Sequence, residues 1–273
     1  PRKYVVRAPD TQMQLNFKQY STQGTPLVIL HGLFGSLGNW GRHSKELAEK
    51  FAVYGLDLRN HGASPHSDEM NYQLMAGDVL EFLDANNITN CHLIGHSMGG
   101  KVAMELALNH PHRIKRLIIV DIAPVSYPSS TEGHDKIFAA MDAIDTGKLQ
   151  SRKEADEKMQ PYVEEAGIRQ FLLTNLYKKG DGRFGWRLNL EALKMHYGEL
   201  RKGIESEHPY EKEVLFIKGA ASDYIGQENA KDIFALFPSA HIKTVMEAGH
   251  WVHAEKPQAF QSIVLNFLID TGE

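Results

Sequence analysis

Gly95-His96-Ser97-Met98-Gly99 is the stretch that decides the fold of this chain. It is a G-x-S-x-G pentapeptide, in which glycines flank a serine at positions minus two and plus two. Such spacing permits a tight turn from a strand into a helix, so the hydroxyl projects above the sheet. The neighbouring residues favour that setting. Residues 91–94 are typical of a short buried strand, and residues 101–109 have helical periodicity.

Outward from this pentapeptide, apolar strands alternate with helical segments. Strands are predicted at 27–30, 51–56, 117–120, 214–217 and 242–245, and helices at 44–50, 72–85, 227–236 and 257–269. An opening hairpin is predicted from Tyr4-Val5-Val6 and residues 15–20. Uninterrupted apolar strands alternating with helices are typical of a parallel sheet covered on both faces. We therefore expect an α/β fold, with a doubly wound, mostly parallel sheet of about eight strands.

The alternation stops between residues 126 and 210, where the chain is rich in Lys, Glu and Arg. Helical stretches are predicted near 136–144, 168–177 and 188–200, and no strand is predicted. An all-helical insertion between two strands of such a sheet should lie over the carboxyl ends of the strands, where these sheets bind ligands. We expect a core domain of residues 1–125 and 211–273 and a helical cap of residues 126–210. The alternative is a long structural excursion away from the site.

Composition excludes several classes of protein. A net charge of −4 does not indicate the basic surface that nucleic-acid-binding proteins have. Cys91 is the only cysteine, which excludes an intrachain disulfide and favours a reducing compartment. No apolar run approaches the roughly 20 residues that span a bilayer, and no signal segment is recognisable. We expect a soluble cytoplasmic protein without a membrane span; the patterns carry no indication of its oligomeric state.

The serine hydroxyl needs a base before it can act as a nucleophile. His250 stands out among 14 histidines, because it follows the last predicted strand and Gly249 lets the loop turn. We predict that His250 serves Ser97 as the base. His253 is expected to pack or cap, and His96 to point away from the serine. The histidines lack metal-ligand spacing and no glycine-rich phosphate loop is present, so neither a metal nor a cofactor is predicted.

Backbone donors for an oxyanion are predicted at two positions. One is the amide of Met98, directly after the serine, and the other is the amide of Leu33. Leu33 lies in His31-Gly32-Leu33-Phe34-Gly35, immediately after a buried strand. The alternative is that these glycines only form a turn. His31 is expected to be a structural hydrogen-bonding residue.

Two carboxylates compete for the role of the acid that supports His250. Asp223 follows the next-to-last strand, but Ser222 occupies the offset from Gly219 at which the acid usually stands. Asp121 ends the preceding strand and could reach the same imidazole. We favour Asp121, with Ser222 as an added hydrogen-bonding partner, and keep Asp223 as the alternative. The carboxylate that is not used should cap a loop or helix.

Together these motifs resemble the α/β-hydrolase superfamily, and more narrowly the YbfF-like bacterial esterases and acyl-CoA thioesterases. The matching stretches are 31–36, 57–64, 95–101, 120–124, 184–189 and 249–257. The resemblance implies a capped serine hydrolase that cleaves small acyl esters or thioesters. It places the nucleophile on Ser97, the base on His250, the acid on Asp121 and the supporting hydroxyl on Ser222. Within the matching stretches, Phe34 and Arg187 are predicted to contact substrate.

Other functions remain compatible with the same motifs. One scaffold can use the same triad for C–C bond hydrolysis or for cofactor-free haloperoxidase or lyase chemistry. A non-catalytic ligand-binding protein is the remaining alternative. The cations of the cap either attract the phosphates of an acyl-CoA or form a solvated face. These cations are Lys178, Lys179, Arg183, Arg187 and Arg201.

Overall fold

The main sheet has seven strands in this computed structural model, which describes residues 13–128 and 133–269. The described residues form nine strands. In chain order they are β1 (Phe17–Gln19), β2 (Pro26–Leu30), β3 (Ala52–Leu56), β4 (Cys91–His96), β5 (Ile114–Val120), β6 (Leu176–Lys178), β7 (Phe184–Trp186), β8 (Val214–Gly219) and β9 (Ala240–Val245). β6 and β7 make a separate hairpin, and the other seven make the main sheet. The sheet order is β1-β3-β2-β4-β5-β8-β9. β1 pairs antiparallel with β3, and all other pairs are parallel. The predicted α/β fold with a mostly parallel sheet is confirmed.

The expected count of about eight strands is one more than the described sheet contains. The predicted strand at Tyr4-Val5-Val6 lies outside the described residues. The second arm of that predicted hairpin is β1, which pairs with β3 through Phe17 and Leu56.

Helices cover both faces of the sheet. They are α1 (Gly41–Leu47), α2 (Tyr72–Ala85), α3 (Met98–Asn109), α4 (His134–Asp142), α5 (Arg152–Met159), α6 (Ala166–Leu173), α7 (Leu190–Met195), α8 (Tyr197–Leu200), α9 (Ala230–Leu236), α10 (Val252–Glu255) and α11 (Pro257–Ile269). Successive strand residues point to opposite faces. In β2, Leu27 and Ile29 join a core cluster with α1 and α11, whereas Val28 and Leu30 join the cluster with α2 and α3. Because both faces are buried, β2 is apolar throughout.

The insertion between β5 and β8 is not all-helical, so that expectation is wrong. β6 and β7 form an antiparallel hairpin in which Leu176 pairs with Trp186. Its turn, Gly180-Asp181-Gly182, places Gly182 at a φ of +86°, which glycine adopts without a steric cost. The Asp-Gly pair is a turn signal that the helical reading of 168–177 overlooked. Helix α5 was also missed, and the predicted helix 188–200 divides into α7 and α8 at His196.

Parallel strands bring their carboxyl ends to one edge of the sheet. The loops after β2, β4, β5, β8 and β9 therefore meet there. They carry Leu33, Ser97, Asp121, Ser222 and His250, respectively. Within the described ranges, no helix has the length and apolar character required to cross a bilayer.

Candidate active site

Ser97 lies on a sharp turn between β4 and α3. Its backbone has φ 52° and ψ −119°, a region that non-glycine residues rarely adopt. The turn is held by main-chain bonds, because the Ser97 amide donates to the Val120 carbonyl at 3.0 Å and the Ser97 carbonyl accepts from Gly100 at 2.8 Å. These hydrogen bonds hold the Ser97 backbone in its strained conformation, and the hydroxyl then projects above the sheet.

The flanking glycines are required by close backbone approaches. A Cβ on Gly95 would stand 2.2 Å from the Gly99 carbonyl oxygen, and one on Gly99 would stand 2.4 Å from the His31 carbonyl oxygen. Neither neighbour is a flexible side chain that could move aside. The spacing of the pentapeptide thus follows from the tightness of the turn and from its contact with the end of β2.

His250 and Asp121 meet at the edge of the sheet from loops 129 residues apart. The Nδ1 atom of His250 lies 2.8 Å from Oδ2 of Asp121, whose side chain is fully buried. Since an ionised carboxylate only accepts hydrogen bonds, Nδ1 carries the proton and Nε2 is left with its lone pair. The imidazole is 15% exposed, on the side of the cavity that also contains Ser97.

The structure brings Ser222 to Asp121 and leaves Asp223 exposed. The Ser222 hydroxyl donates to Oδ2, and the Gly219 amide donates to Oδ1 at 3.0 Å. Asp121 itself has a φ of 52°. This conformation is held by a hydrogen bond that the Asp121 amide donates to the Ile217 carbonyl at 2.8 Å. These donors compensate the burial of the carboxylate and fix its orientation toward the imidazole.

The loop after β2 lines the cavity beside Ser97 and is held by hydrogen bonds to one of its own carbonyls. The Gly32 carbonyl accepts from the Gly35 amide at 3.0 Å and from Nδ1 of His31 at 2.8 Å. The Gly32 carbonyl and the Leu33 N–H belong to one trans peptide group and point in opposite directions. The Leu33 N–H therefore points away from the Gly35 amide and from Nδ1 of His31. Met98 is the first residue of α3, and first-turn amides have no acceptor within their own helix. Leu33 lines the same cavity as Ser97, and Met98 follows Ser97 directly in the chain. That their amides bind an oxyanion stays a prediction.

Two buried neutral histidines support that loop. Burial lowers the pKa of His61 to about 3 and also lowers the pKa of His31. Nε2 of His31 accepts from the Leu58 amide at 3.0 Å, and Nε2 of His61 accepts from the Phe34 amide at 3.2 Å. An imidazole can accept only while it is neutral, so their low pKa values keep the loop anchored. His31 is structural, as the sequence predicts.

A cavity of about 670 Å³ lies between the sheet edge and the insertion. Ser97, His250, Leu33 and Phe34 line one side of it, and residues of α4, α6 and 161–165 of the insertion line the other. Phe34 therefore lies where the sequence places a substrate contact. The aromatic side chains that sequence reasoning missed are Trp40, Tyr162, Phe171, Tyr224 and Trp251. Tyr224, two residues after Ser222, and Trp251, directly after His250, carried a positional signal.

Arg187 is exposed and is absent from the described cavity lining, and its guanidinium stacks 5.0 Å above the Tyr177 ring. Its contact with substrate stays a prediction. The predicted orientation of His96 is wrong. His96 does not point away from the site. Its ring lies 4.7 Å from that of His250, and Nε2 donates to the His250 carbonyl at 2.9 Å. His253 does pack, stacked on Trp40 at 4.2 Å.

One of the cationic side chains of the insertion is held in an ion pair. Arg183 pairs with Asp181 at 2.6 Å in the hairpin turn, and both side chains are exposed. In the described ranges, no three or more His, Cys, Asp or Glu side chains are grouped so as to hold a metal ion.

Comparison with known proteins agrees with this geometry. A family model described as the alpha/beta hydrolase fold matches residues 25–257. The chain belongs to the α/β-hydrolase family.

This hydrolase is 45% identical over 254 residues to the sn-1-specific diacylglycerol lipase ABHD11 of Xenopus laevis, across 91% of this chain and 81% of that one. It is 39% identical to Esterase YbfF of Escherichia coli (strain K12), across 94% and 100% of the two chains. A solved structure described as a marine microorganism esterase superposes with a TM-score of 0.92 at 40% identity, covering 93% and 99%. These relatives support ester hydrolase activity, and the predicted family is confirmed.

Proposed function

We propose that this protein is a serine hydrolase that cleaves carboxylic esters through an acyl-enzyme. One observation carries the proposal. A buried carboxylate, Asp121, holds the Nδ1 side of His250 at 2.8 Å, and His250 opens into the same cavity as Ser97 on its strained turn. A nucleophile, a base and an orienting acid in this order are the parts that acyl transfer requires.

In the proposed mechanism, the Ser97 hydroxyl oxygen attacks the ester carbonyl carbon and Nε2 of His250 takes its proton. The carbonyl oxygen becomes an oxyanion, which the Leu33 and Met98 amides stabilise. The imidazolium then protonates the departing alkoxide, leaving an acyl-enzyme on Ser97. Water attacks this ester while His250 accepts one of its protons. Collapse of the second tetrahedral intermediate returns the proton to Ser97 and releases the acid.

Asp121 and Ser222 act through His250. The Asp121 carboxylate fixes the tautomer in which Nε2 accepts, and it stabilises the imidazolium that forms in each half-reaction. The Ser222 hydroxyl and the Gly219 amide hold the carboxylate in place. Asp223 has no part in the proposed mechanism, since its exposed side chain belongs to the surface of the same loop.

The cavity favours a neutral ester with an apolar acyl chain. Phe34, Ile137 and Phe171 give the lining apolar surface for such a chain, beside the charged side chains of Lys136, Glu164 and Glu165. Relatives are named as a diacylglycerol lipase and as esterases, and these names support an ester substrate here. The position of Arg187 outside the cavity and the ion pair of Arg183 with Asp181 favour such an ester over an acyl-CoA thioester.

We further propose that residues 126–210 form a cap on a core of residues 1–125 and 211–273. The support is positional, since α4, α6 and residues 161–165 contribute the roof of the cavity. A roof of this kind excludes water from the acyl chain and selects substrates by length.

Labelling with a fluorophosphonate tests the nucleophile, and hydrolysis of p-nitrophenyl esters tests the reaction. We expect one covalent adduct, on Ser97. Ser97→Ala should abolish labelling and lower kcat by about 10⁴-fold or more. Asp121→Asn should lower kcat by about 10³- to 10⁴-fold, because it removes the charge that orients and stabilises the imidazole.

Asp223→Asn is the matched control, since it makes the same chemical change one residue after Ser222. It should retain kcat within about twofold of the wild-type value. Full esterase activity in Ser97→Ala would disprove the acyl-enzyme mechanism. A larger loss in Asp223→Asn than in Asp121→Asn would instead reassign the acid.

A further inference from the structure

The imidazole of His250 is stacked on an aromatic ring that the mechanism above does not use. The centroids of the Tyr224 and His250 rings are 3.9 Å apart, and the ring planes differ by 21°. Trp251 meets the same imidazole edge-on at 5.5 Å. Tyr224 is half-buried and lines the cavity, so its ring forms one face of the base's surroundings.

The position of Tyr224 is set by the core. The Tyr127 hydroxyl donates to the Tyr224 carbonyl at 2.5 Å and accepts from the Ala123 amide at 2.9 Å. The Tyr127 ring also lies 5.3 Å from the Tyr224 ring and 4.9 Å below the Lys101 ammonium. Lys101 belongs to α3, which begins directly after Ser97. The ring beneath the base is therefore tied to the same helix that positions the nucleophile.

The geometry points to Tyr224 as a positioning residue for His250, whose ring holds the imidazole in its plane and stabilises the imidazolium formed during turnover. This inference rests on the proposed function, in which His250 takes and returns a proton. An aromatic face attracts a cation placed over it within about 6 Å. The stacked ring therefore favours the protonated base more than the neutral one, and it lowers the barrier to each proton transfer.

Other charged and titratable groups also face His250. They are Asp121 on Nδ1, His96 and His253 behind the ring, Glu255 on the amides of Gly249 and Trp251, and Lys136, Glu164 and Glu165 in the cavity lining. None of them changes when Tyr224 is replaced. A shift in the pH dependence of such a variant consequently reports the ring.

Replacing the ring with a smaller aliphatic side chain distinguishes two roles. If the ring stabilises the imidazolium, Tyr224→Leu makes protonation of the base less favourable, and the acidic limb of the kcat/KM profile moves to lower pH. If the ring only excludes water, its loss lets water solvate the cation, and the limb moves to higher pH. The two roles therefore differ in the sign of the shift.

The experiment compares pH profiles of p-nitrophenyl ester hydrolysis for Tyr224→Leu and Tyr224→Phe. For Tyr224→Leu we expect the midpoint of the acidic limb to fall by about half a pH unit. Its kcat should fall by about threefold to tenfold with KM little changed. Tyr224→Phe keeps the ring and should retain the wild-type midpoint. Tyr224→Met is the second non-aromatic variant, should the leucine protein fail to fold.

Tyr127→Phe controls for disorder of the loop. It removes the hydroxyl that holds the Tyr224 carbonyl but leaves both rings, so it should lower thermal stability without moving the acidic limb. An unchanged or raised midpoint in Tyr224→Leu would overturn the inference. A shift in Tyr127→Phe or Tyr224→Phe equal to that of Tyr224→Leu would overturn it too, since loop order would then be responsible.

The outcome is separable from that of the proposed function. Fluorophosphonate labelling of Ser97 and inactivity of Ser97→Ala test the nucleophile without reference to Tyr224. Labelled enzyme with the wrong midpoint in Tyr224→Leu rejects only the role of the ring, whereas an active Ser97→Ala protein rejects the mechanism itself.

Discussion

At the scale of single residues, three of the six described non-glycine residues with positive φ lie where the candidate chemistry is. Phe34, Ser97 and Asp121 all have φ between 52° and 61°, although none is a glycine. Such conformations cost about 1–3 kcal/mol each and persist only where neighbours hold them. Here backbone hydrogen bonds hold them, including those that the Ser97 amide donates to Val120 and the Asp121 amide donates to Ile217. The strain therefore places three groups at one edge of the sheet.

Glycine substitutions test this reading at the residue scale. Gly99→Ala places a Cβ 2.4 Å from the His31 carbonyl oxygen, so we expect a loss of about 3 kcal/mol of unfolding free energy and loss of esterase activity. Gly77→Ala is the matched control, since this α2 glycine has no atom within 4 Å of its built Cβ. It should gain about 0.5–1 kcal/mol. Urea unfolding measures both, and equal effects would contradict the argument.

At the scale of elements, one buried guanidinium organises part of the cavity roof. Arg169 of α6 donates to Asp156 of α5 at 2.9 Å, and its Nη1 donates to the Val163 carbonyl at 3.0 Å and the Glu164 carbonyl at 2.6 Å. The bonded carbonyls belong to residues 161–165, which line the cavity. A planar fork with several donors suits this task, and a lysine ammonium cannot span the same acceptors.

Arg169→Lys should therefore loosen the roof. We expect KM for a long-chain p-nitrophenyl ester to rise about threefold to tenfold more than KM for the acetate, because only the long chain contacts residues 161–165. Arg152→Lys is the matched control, since Arg152 of α5 donates to the Leu173 and Leu176 carbonyls instead. The KM ratio of that variant should equal the wild-type ratio. An unchanged ratio in Arg169→Lys would remove the assigned role.

At the scale of the whole molecule, buried neutral histidines couple stability to pH. Burial lowers the pKa of His61 and His253 to about 3 and that of His92 to about 4. It also lowers the pKa of His31 and His96. In the unfolded chain these groups titrate near 6.5. The unfolded state consequently binds more protons than the native state between about pH 6.5 and 3, and this stability is lost as pH falls.

Urea unfolding should show a free energy that is level above about pH 7 and declines toward pH 5. Each such histidine adds a slope of up to about 1.4 kcal/mol per pH unit. His92→Gln removes one of them at the start of β4, away from the cavity, so it should reduce the slope and leave activity intact. Equal free energies at pH 7 and pH 5 would exclude this coupling.

The sequence by itself determined the sheet, the sharp turn at Ser97 and the chain order of the candidate catalytic residues. Short-range patterns predict these features: apolar runs, the glycines around Ser97, and a histidine after the last strand. The bounds of α2 were predicted to the residue, and Pro257 was expected near the first turn of α11, since periodicity and such a proline are local signals. The Asp-Gly turn of the hairpin was equally local, and it was overlooked.

Only the tertiary structure decided which side chains meet. The pairing of His250 with Asp121 instead of Asp223 joins loops 129 residues apart, and the stack of Tyr224 on that imidazole joins side chains of two different loops. The placement of Arg187 outside the cavity follows from the same kind of long-range packing. Neither periodicity nor motif spacing records such contacts, because the orientation of a loop side chain is set by the neighbours that other parts of the chain bring to it.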